Sequence, residues 1–289
     1  MNASIEMSQG TIHYRDDGAG EPIVFVHGLF VDGRLWQRVT PLLSRDYRCI
    51  APDLPLGSHA SPLRDGADRS PRGIARLLAD LLDALELERV TLVANDTGGA
   101  IAQILAAERP ERLRALVLTN CDCLENFPPP LLRPMQWLTH VPGAYAALAR
   151  TVGSARLRRS PLGFGLLSRR PLADDLTGDW VAPLRRRAIR ADVIATIRAI
   201  DSRDTLEAAE RLRERPLPLL LAWAPDDRFF PLRHAQRLAE IVPGAQLELM
   251  HESRTFVPQD EPERLAQLID GFVRAQGPSP QQHDLATSA

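Results

Sequence analysis

At 289 residues, 44% of them hydrophobic, the chain is long enough to bury a complete α/β core with room for an insertion. A formal net charge of −2 argues against a general binder of nucleic acid or anionic membrane. All 35 basic residues are arginine, which excludes Schiff-base lysine chemistry and a P-loop lysine.

Met1 to Gly10 offers neither a basic stretch nor an apolar core of a secretion signal. No apolar run approaches the roughly 18 residues of a membrane span. The cysteines, Cys49, Cys121 and Cys123, are an odd number that makes no disulfide scaffold and suits a reducing compartment. A soluble, cytoplasmic protein is expected.

Thr11 to Arg15 alternates and runs into Asp16-Asp17-Gly18, a strand ending in a turn. Pro22 to Val26 is a short continuous apolar run, as for a parallel strand buried on both faces, and ends in His27-Gly28. Leu35 to Leu43 reads as a short helix and Arg48 to Asp53 as a strand. Ser70-Pro71 opens a helix, with Ser as N-cap and Pro at the first helical position. Leu77, Leu78, Leu81, Leu82 and Leu85 form its apolar face. Val90 to Asn95 is a strand, Ala100 to Arg109 a helix and Leu113 to Thr119 the sixth strand. This strand–helix alternation calls for a parallel sheet with helices on both faces.

From Pro128-Pro129-Pro130 to about Arg215 the rhythm breaks into helical patches without a convincing strand, with sixteen Arg against nine Asp plus Glu. The alternation resumes with Leu217 to Trp223 (strand), Leu232 to Ile241 (helix), Ala245 to Met250 (strand) and Glu261 to Ala275 (helix). Domains are therefore expected at 1–127 plus 216–276 for the core and 128–215 for a helical cap. Residues 277–289 form a polar tail expected to be disordered.

Chemistry in open α/β sheets sits beyond the carboxyl ends of the strands. Val90 to Ala100 is a strand, a sharp turn and a helix start, with Ala94 and Gly98 in the two glycine positions of a nucleophile elbow and Asp96 at its apex. At a helix start free N–H groups favour negative charge, so an ionised Asp96 is expected. Capping alone would explain an Asp here, but not the following Gly98-Gly99. The N–H groups of Leu29, after His27-Gly28, and of Thr97 would form an oxyanion hole. Asp227, in Trp223 to Pro231, is placed to orient an imidazole, although Pro-Asp-Asp is also ordinary turn chemistry.

Together these residues resemble the α/β-hydrolase superfamily over Thr11 to Ala275: Val26-His27-Gly28, the elbow, the cap, Trp223 to Pro231 and the final Pro262-Glu263 helix. The resemblance implies an α/β-hydrolase fold, a mostly parallel central sheet flanked by helices, with the cap inserted after the sixth strand. An apical Asp is similar to the branch of haloalkane dehalogenases and epoxide hydrolases. In that branch a carboxylate attacks a saturated carbon, and a His-activated water hydrolyses the resulting ester. Carboxylate attack on an acyl ester would instead give an anhydride, a poor intermediate.

Counting back from Pro262-Glu263, the family's catalytic His position holds Thr255, which has no pKa near neutrality and is no general base. His251, four residues earlier, is the nearest replacement, and His59, on the loop after the fourth strand, a second candidate. His13, His27, His140 and His234 read as structural or exposed. The resemblance would also place a Trp after the nucleophile and halide donors after His-Gly in a dehalogenase, where Thr97 and Leu29-Phe30 stand. Two cap tyrosines would mark an epoxide hydrolase, against a lone Tyr145. Asp122 and Glu125, after the sixth strand, are alternative acids. Cys121 and Cys123 read as small buried thiols. Arg185-Arg186-Arg187 reads as a solvated face or as attraction for an anionic substrate.

The leading expectation is a hydrolase needing neither cofactor nor metal. It would act on a small organic molecule, anionic or apolar, with Asp96, Asp227 and His251 as catalytic residues. A non-hydrolytic acid/base enzyme (lyase, isomerase or cyclase) and a catalytically silent ligand-binding protein are the alternatives. No nucleic-acid or membrane partner is expected.

Overall fold

Successive residues of the central strands face opposite sides of the sheet, and the core divides accordingly. Ile23 and Phe25, Val93, Val117, and Leu220 and Ala222 pack on one face. Val24 and Val26, Leu92 and Ala94, Leu116 and Leu118, and Leu219 and Leu221 pack on the other. Both faces are apolar, which is why these strands read as continuous hydrophobic runs rather than alternating ones.

The computed structural model describes residues 2–277; the polar tail expected at 277–289 lies, after Gly277, outside the described residues. Eight strands form one sheet: β1 (Asn2–Met7), β2 (Gly10–Asp17), β3 (Glu21–Val26), β4 (Tyr47–Pro52), β5 (Val90–Asp96), β6 (Leu113–Cys121), β7 (Leu219–Trp223) and β8 (Gln246–Leu249). Their order is β1-β2-β4-β3-β5-β6-β7-β8. The β1–β2 and β2–β4 pairs are antiparallel and the remainder parallel.

The expected parallel sheet with flanking helices is present, with three differences. β1 was not anticipated; it is an outer antiparallel strand whose alternate residues are exposed, so its apolar signal is weak. The helix expected over Leu35 to Leu43 is split into a 3-10 turn, Gly33–Trp36, and a single helical turn, Thr40–Leu43, that begins with Pro41 near its N-terminus. The helix expected from Ala100 starts at Thr97, directly at the apex of the turn.

Helices Pro71–Ala84 and Thr97–Glu108 cover the Val24 face, whereas Pro262–Ala275 covers the Ile23 face. Ser70 caps the first of these, its hydroxyl accepting from Gly73 N–H at 3.0 Å. Between β6 and β7 the chain forms helices Arg133–Leu138, Ala144–Thr151, Asp174–Val181, Arg187–Ala199 and Ser202–Glu214, with shorter turns between them. This segment is tied to the sheet by polar contacts. Trp180 Nε1 donates to Asp32 Oδ1 at 3.1 Å, Ser58 Oγ to Trp180 O at 2.7 Å, and Ser168 Oγ to Asp260 Oδ1 at 2.6 Å. Among the described residues no helix is long and apolar enough to cross a membrane.

Two glycines set the geometry at the sheet's carboxyl edge. A Cβ on Gly98 would lie 2.4 Å from His27 O, and one on Gly28 would lie 2.4 Å from the Asp96 side chain. Backbone meets backbone in the first case, so Gly98→Ala forces the β3 and β5 ends apart. We expect it to destabilise the protein by about 1–3 kcal/mol, measured as a lower urea midpoint with unchanged slope. An unchanged midpoint would show that the close approach is not required.

Candidate active site

Asp96 ends β5 with φ 56° and ψ −138°, a left-handed conformation that costs a non-glycine residue on the order of 1–3 kcal/mol. The strain raises its side chain at the head of helix Thr97–Glu108. The carboxylate accepts from the backbone N–H of Thr97, and the N–H of Leu29 adds a second backbone hydrogen bond. Thr97 and Leu29, chosen in the sequence as paired donors, thus converge on Asp96 itself.

Its surroundings shift the pKa of Asp96. Burial, the largest influence, raises its pKa above the usual carboxylate value, while the backbone N–H groups of Thr97 and Leu29 pull the other way. The helix start supplies donors, but removal from water outweighs them.

Asp122 follows β6 in the adjacent strand, whose Cys121 is in register with Asp96. Thr97 Oγ1 donates to Asp122 Oδ2 at 3.0 Å, and Asp122 N–H donates to Asp96 O at 3.3 Å. Burial first, and the Asp96 charge second, push the Asp122 carboxyl well above its ordinary range.

Asp227 lies on the loop after β7. Its Oδ1 accepts from the N–H groups of Phe229 (2.7 Å) and Phe230 (3.1 Å), and its Oδ2 from the Thr255 hydroxyl at 2.8 Å. Thr255 therefore occupies the place where an imidazole would meet this acid. Its backbone is fixed by Asn95, whose Nδ2 donates to Thr255 O at 2.6 Å. Asn120 ties β6 to β7 through Ala224, with Ala224 N–H donating to Oδ1 at 2.7 Å and Nδ2 donating to Ala224 O at 3.0 Å. Asn95 and Asn120 were not singled out from sequence. A polar residue inside an otherwise apolar buried strand was the available signal.

The histidine candidates do not join this group. His251 is exposed just after β8 and is not among the residues that line the cavity above Asp96. The β8 end turns it outward, so its selection as a catalytic residue is not supported. His59 is buried, but its Nε2 meets Asp192 Oδ2 at 3.2 Å, locking its loop to helix Arg187–Ala199 away from the cavity lining. His27 is structural: Nδ1 donates to Gly28 O and Nε2 accepts from Leu54 N–H, both at 2.8 Å. Glu125 pairs with Arg237 on the surface. All three cysteines are free and buried.

Asp96, Thr97 and Asp122 lie on the wall of a cavity of about 390 Å³. Its other walls are largely apolar and come mainly from the segment between β6 and β7, including Leu132, Phe164, Leu184 and Ile197, with Phe30 and Phe229 from the sheet side. No arginine lines it among the described residues, and Arg185, Arg186 and Arg187 are exposed. The tyrosine of this segment, Tyr145, donates its hydroxyl to Met135 O at 2.8 Å and is not among the lining residues.

The profile of the alpha/beta hydrolase fold matches residues 21–261. The chain belongs to that family. Haloalkane dehalogenase 2 of Mycobacterium tuberculosis is 30% identical over 274 residues, covering 91% of this chain and 92% of the relative. A 2-hydroxy-6-oxononadienedioate/2-hydroxy-6-oxononatrienedioate hydrolase of Cupriavidus pinatubonensis is 27% identical over 269 residues, covering 91% and 90%. The crystal structure of haloalkane dehalogenase DbeA from Bradyrhizobium elkani superposes with a TM-score of 0.81 at 21% identity, over 96% of this chain and 98% of that one. Fold and relatives together place the chain among hydrolases of the α/β-hydrolase superfamily.

Asp227 gives this site a pH signature. Burial raises its pKa from 3.8 to about 6, against the opposing bonds from Thr255, Phe230 and Phe229. The folded state therefore holds this proton more tightly than the unfolded chain. Its contribution is fully present below about pH 4 and is lost as pH rises through about 6. Asp227→Asn removes that loss, so its urea midpoint relative to the unsubstituted protein should climb between about pH 4 and pH 7. A difference that stays constant over this window would contradict the assignment.

Proposed function

We propose that the protein is a hydrolase in which Asp96 attacks a saturated, electrophilic carbon of a small apolar substrate. The observation that carries this reading is one carboxylate on a strained apex, held by the N–H groups of Leu29 and Thr97, at the wall of an apolar cavity. Such donors hold one oxygen in place and leave the other to displace a leaving group. They then stabilise the oxyanion that forms when water adds to the Asp96 ester. Residues 128–215 act as a cap, supplying most of the apolar wall and excluding water. The wall carries no arginine among the described residues, which favours an apolar over an anionic substrate.

One observation favours a second reading. Thr255 stands against Asp227 and no imidazole lines the cavity among the described residues, so the site lacks the usual water-activating base. A carboxylate beside backbone donors can still move a proton in a lyase or isomerase reaction, without a covalent step.

Isotope placement separates the two. The protein, in excess over substrate, is given a panel of haloalkanes, epoxides and activated esters in ¹⁸O-water. The peptide containing Asp96 is then weighed after one turnover. Attack by Asp96 predicts ¹⁸O in that peptide and none in the first-turnover product, with Asp96→Asn inert. Turnover that leaves both peptide and product unlabelled would overturn the nucleophilic reading in favour of proton transfer.

A further inference from the structure

A second buried carboxyl lies on the wall of the cavity that holds Asp96. Asp122 is 2% exposed and lines the same cavity as Asp96. Its two oxygens differ sharply in surroundings. Oδ2 accepts from the Thr97 hydroxyl at 3.0 Å, whereas Oδ1 is buried with no hydrogen-bond partner among the described residues. Asp96, by contrast, is held by two backbone N–H groups. A buried oxygen without a donor is a costly place for negative charge and a natural place for a proton.

We propose that Asp122 is a second catalytic residue, the neutral carboxyl that protonates an oxygen leaving group as Asp96 attacks and then the base that activates water. The inference rests on Asp96 being the nucleophile. In the first step an Asp96 oxygen forms a bond to carbon, the carbon–oxygen bond of the substrate breaks, and the Asp122 proton passes to the departing oxygen. Asp96 becomes an ester and Asp122 a carboxylate. In the second step Asp122 takes a proton from water as the hydroxide oxygen adds to the ester carbonyl. The tetrahedral intermediate collapses and expels the alkoxide, which takes the proton of the new Asp96 carboxylic acid. Asp96 returns ionised and Asp122 neutral, and the net reaction adds one water across the broken bond.

Direction of charge supports the division of labour. Asp122 is pushed well above its ordinary range by burial and by the charge on Asp96, and two carboxyls on the wall of one cavity do not readily ionise together. One residue acting first as acid and then as base needs no imidazole. The substrate class narrows accordingly. A halide leaves without a proton, so a carboxylic acid at this point is useful for a carbon–oxygen bond, as in a strained cyclic ether.

The test uses two probes, 1-bromohexane and 1,2-epoxyhexane, on the unsubstituted protein, Asp122→Asn and Asp122→Glu, read by intact mass and by product formation. Asp122→Asn should open the epoxide more slowly by about 10²-fold or more. With the bromide, which needs no acid, the same variant should still be alkylated at Asp96 and should retain the ester. The unsubstituted protein should release it, and Asp122→Glu should recover part of that release. Epoxide opening by Asp122→Asn within threefold of the unsubstituted protein would overturn the acid role, and prompt ester release would overturn the base role. Loss of bromide alkylation in Asp122→Asn alone would show that Asp122 only supports the fold of the site. If no protein is alkylated at Asp96 by either probe, the nucleophile reading itself has failed, and this inference falls with it.

Discussion

Everything at this site depends on holding one carboxylate above the end of a parallel strand. β5 reaches its last residue in a left-handed turn, and helix Thr97–Glu108 starts at the next position. That turn closes only because Gly98 lies against the backbone of His27 and Gly28 against the Asp96 side chain. His27, clamped between Gly28 O and the Leu54 N–H, fixes the neighbouring strand end so that Leu29 presents its N–H to the same carboxylate. The apolar sheet, buried on both faces, supplies the rigidity against which the turn is strained.

Electrostatics then decides what the carboxylate can do. Asp96, Asp122 and Asp227 occupy the carboxyl ends of three neighbouring strands, each buried and each with a raised pKa. Their donors are unequal. Asp227 is satisfied on both oxygens, Asp96 receives backbone N–H groups, and Asp122 has a single hydroxyl. A shared buried site cannot stabilise all three charges equally, and in the proposed reaction the group with the fewest donors, Asp122, is the one that keeps its proton. Thr255 completes this arrangement by giving Asp227 a neutral hydroxyl partner where an imidazolium would otherwise sit.

The alternating strands and helices and the sharp strand-to-helix turn at Asp96 were readable in the chain, because periodicity and glycine spacing report local geometry directly. The helix Leu232–Ile241 was read to the residue, its amphipathic pattern being strong. Other features depended on packing that no local pattern encodes. β1 is half exposed and pairs only at the sheet edge. His251, the first candidate, and His59, the second, both sit on loops, and only the path of the β8 end and the partnership with Asp192 set them outside the cavity lining. The upward shift of the Asp96 pKa was not legible, because a helix start is visible in sequence and the depth of burial is not. The upward shift of the Asp122 pKa comes from its burial and from the charge of Asp96, neither of which a local pattern in the sequence encodes.

Carbon-13 NMR of side-chain carboxyls in aspartate-labelled protein, assigned with Asp96→Asn, Asp122→Asn and Asp227→Asn, tests the division of charge most directly. The account predicts that at pH 7 the Asp122 resonance has the shift of a protonated carboxyl and the Asp96 resonance that of a carboxylate. It also predicts that removing the Asp96 charge lowers the pKa of Asp122. An Asp122 resonance that titrates like an exposed aspartate, or a proton resident on Asp96 instead, would contradict it.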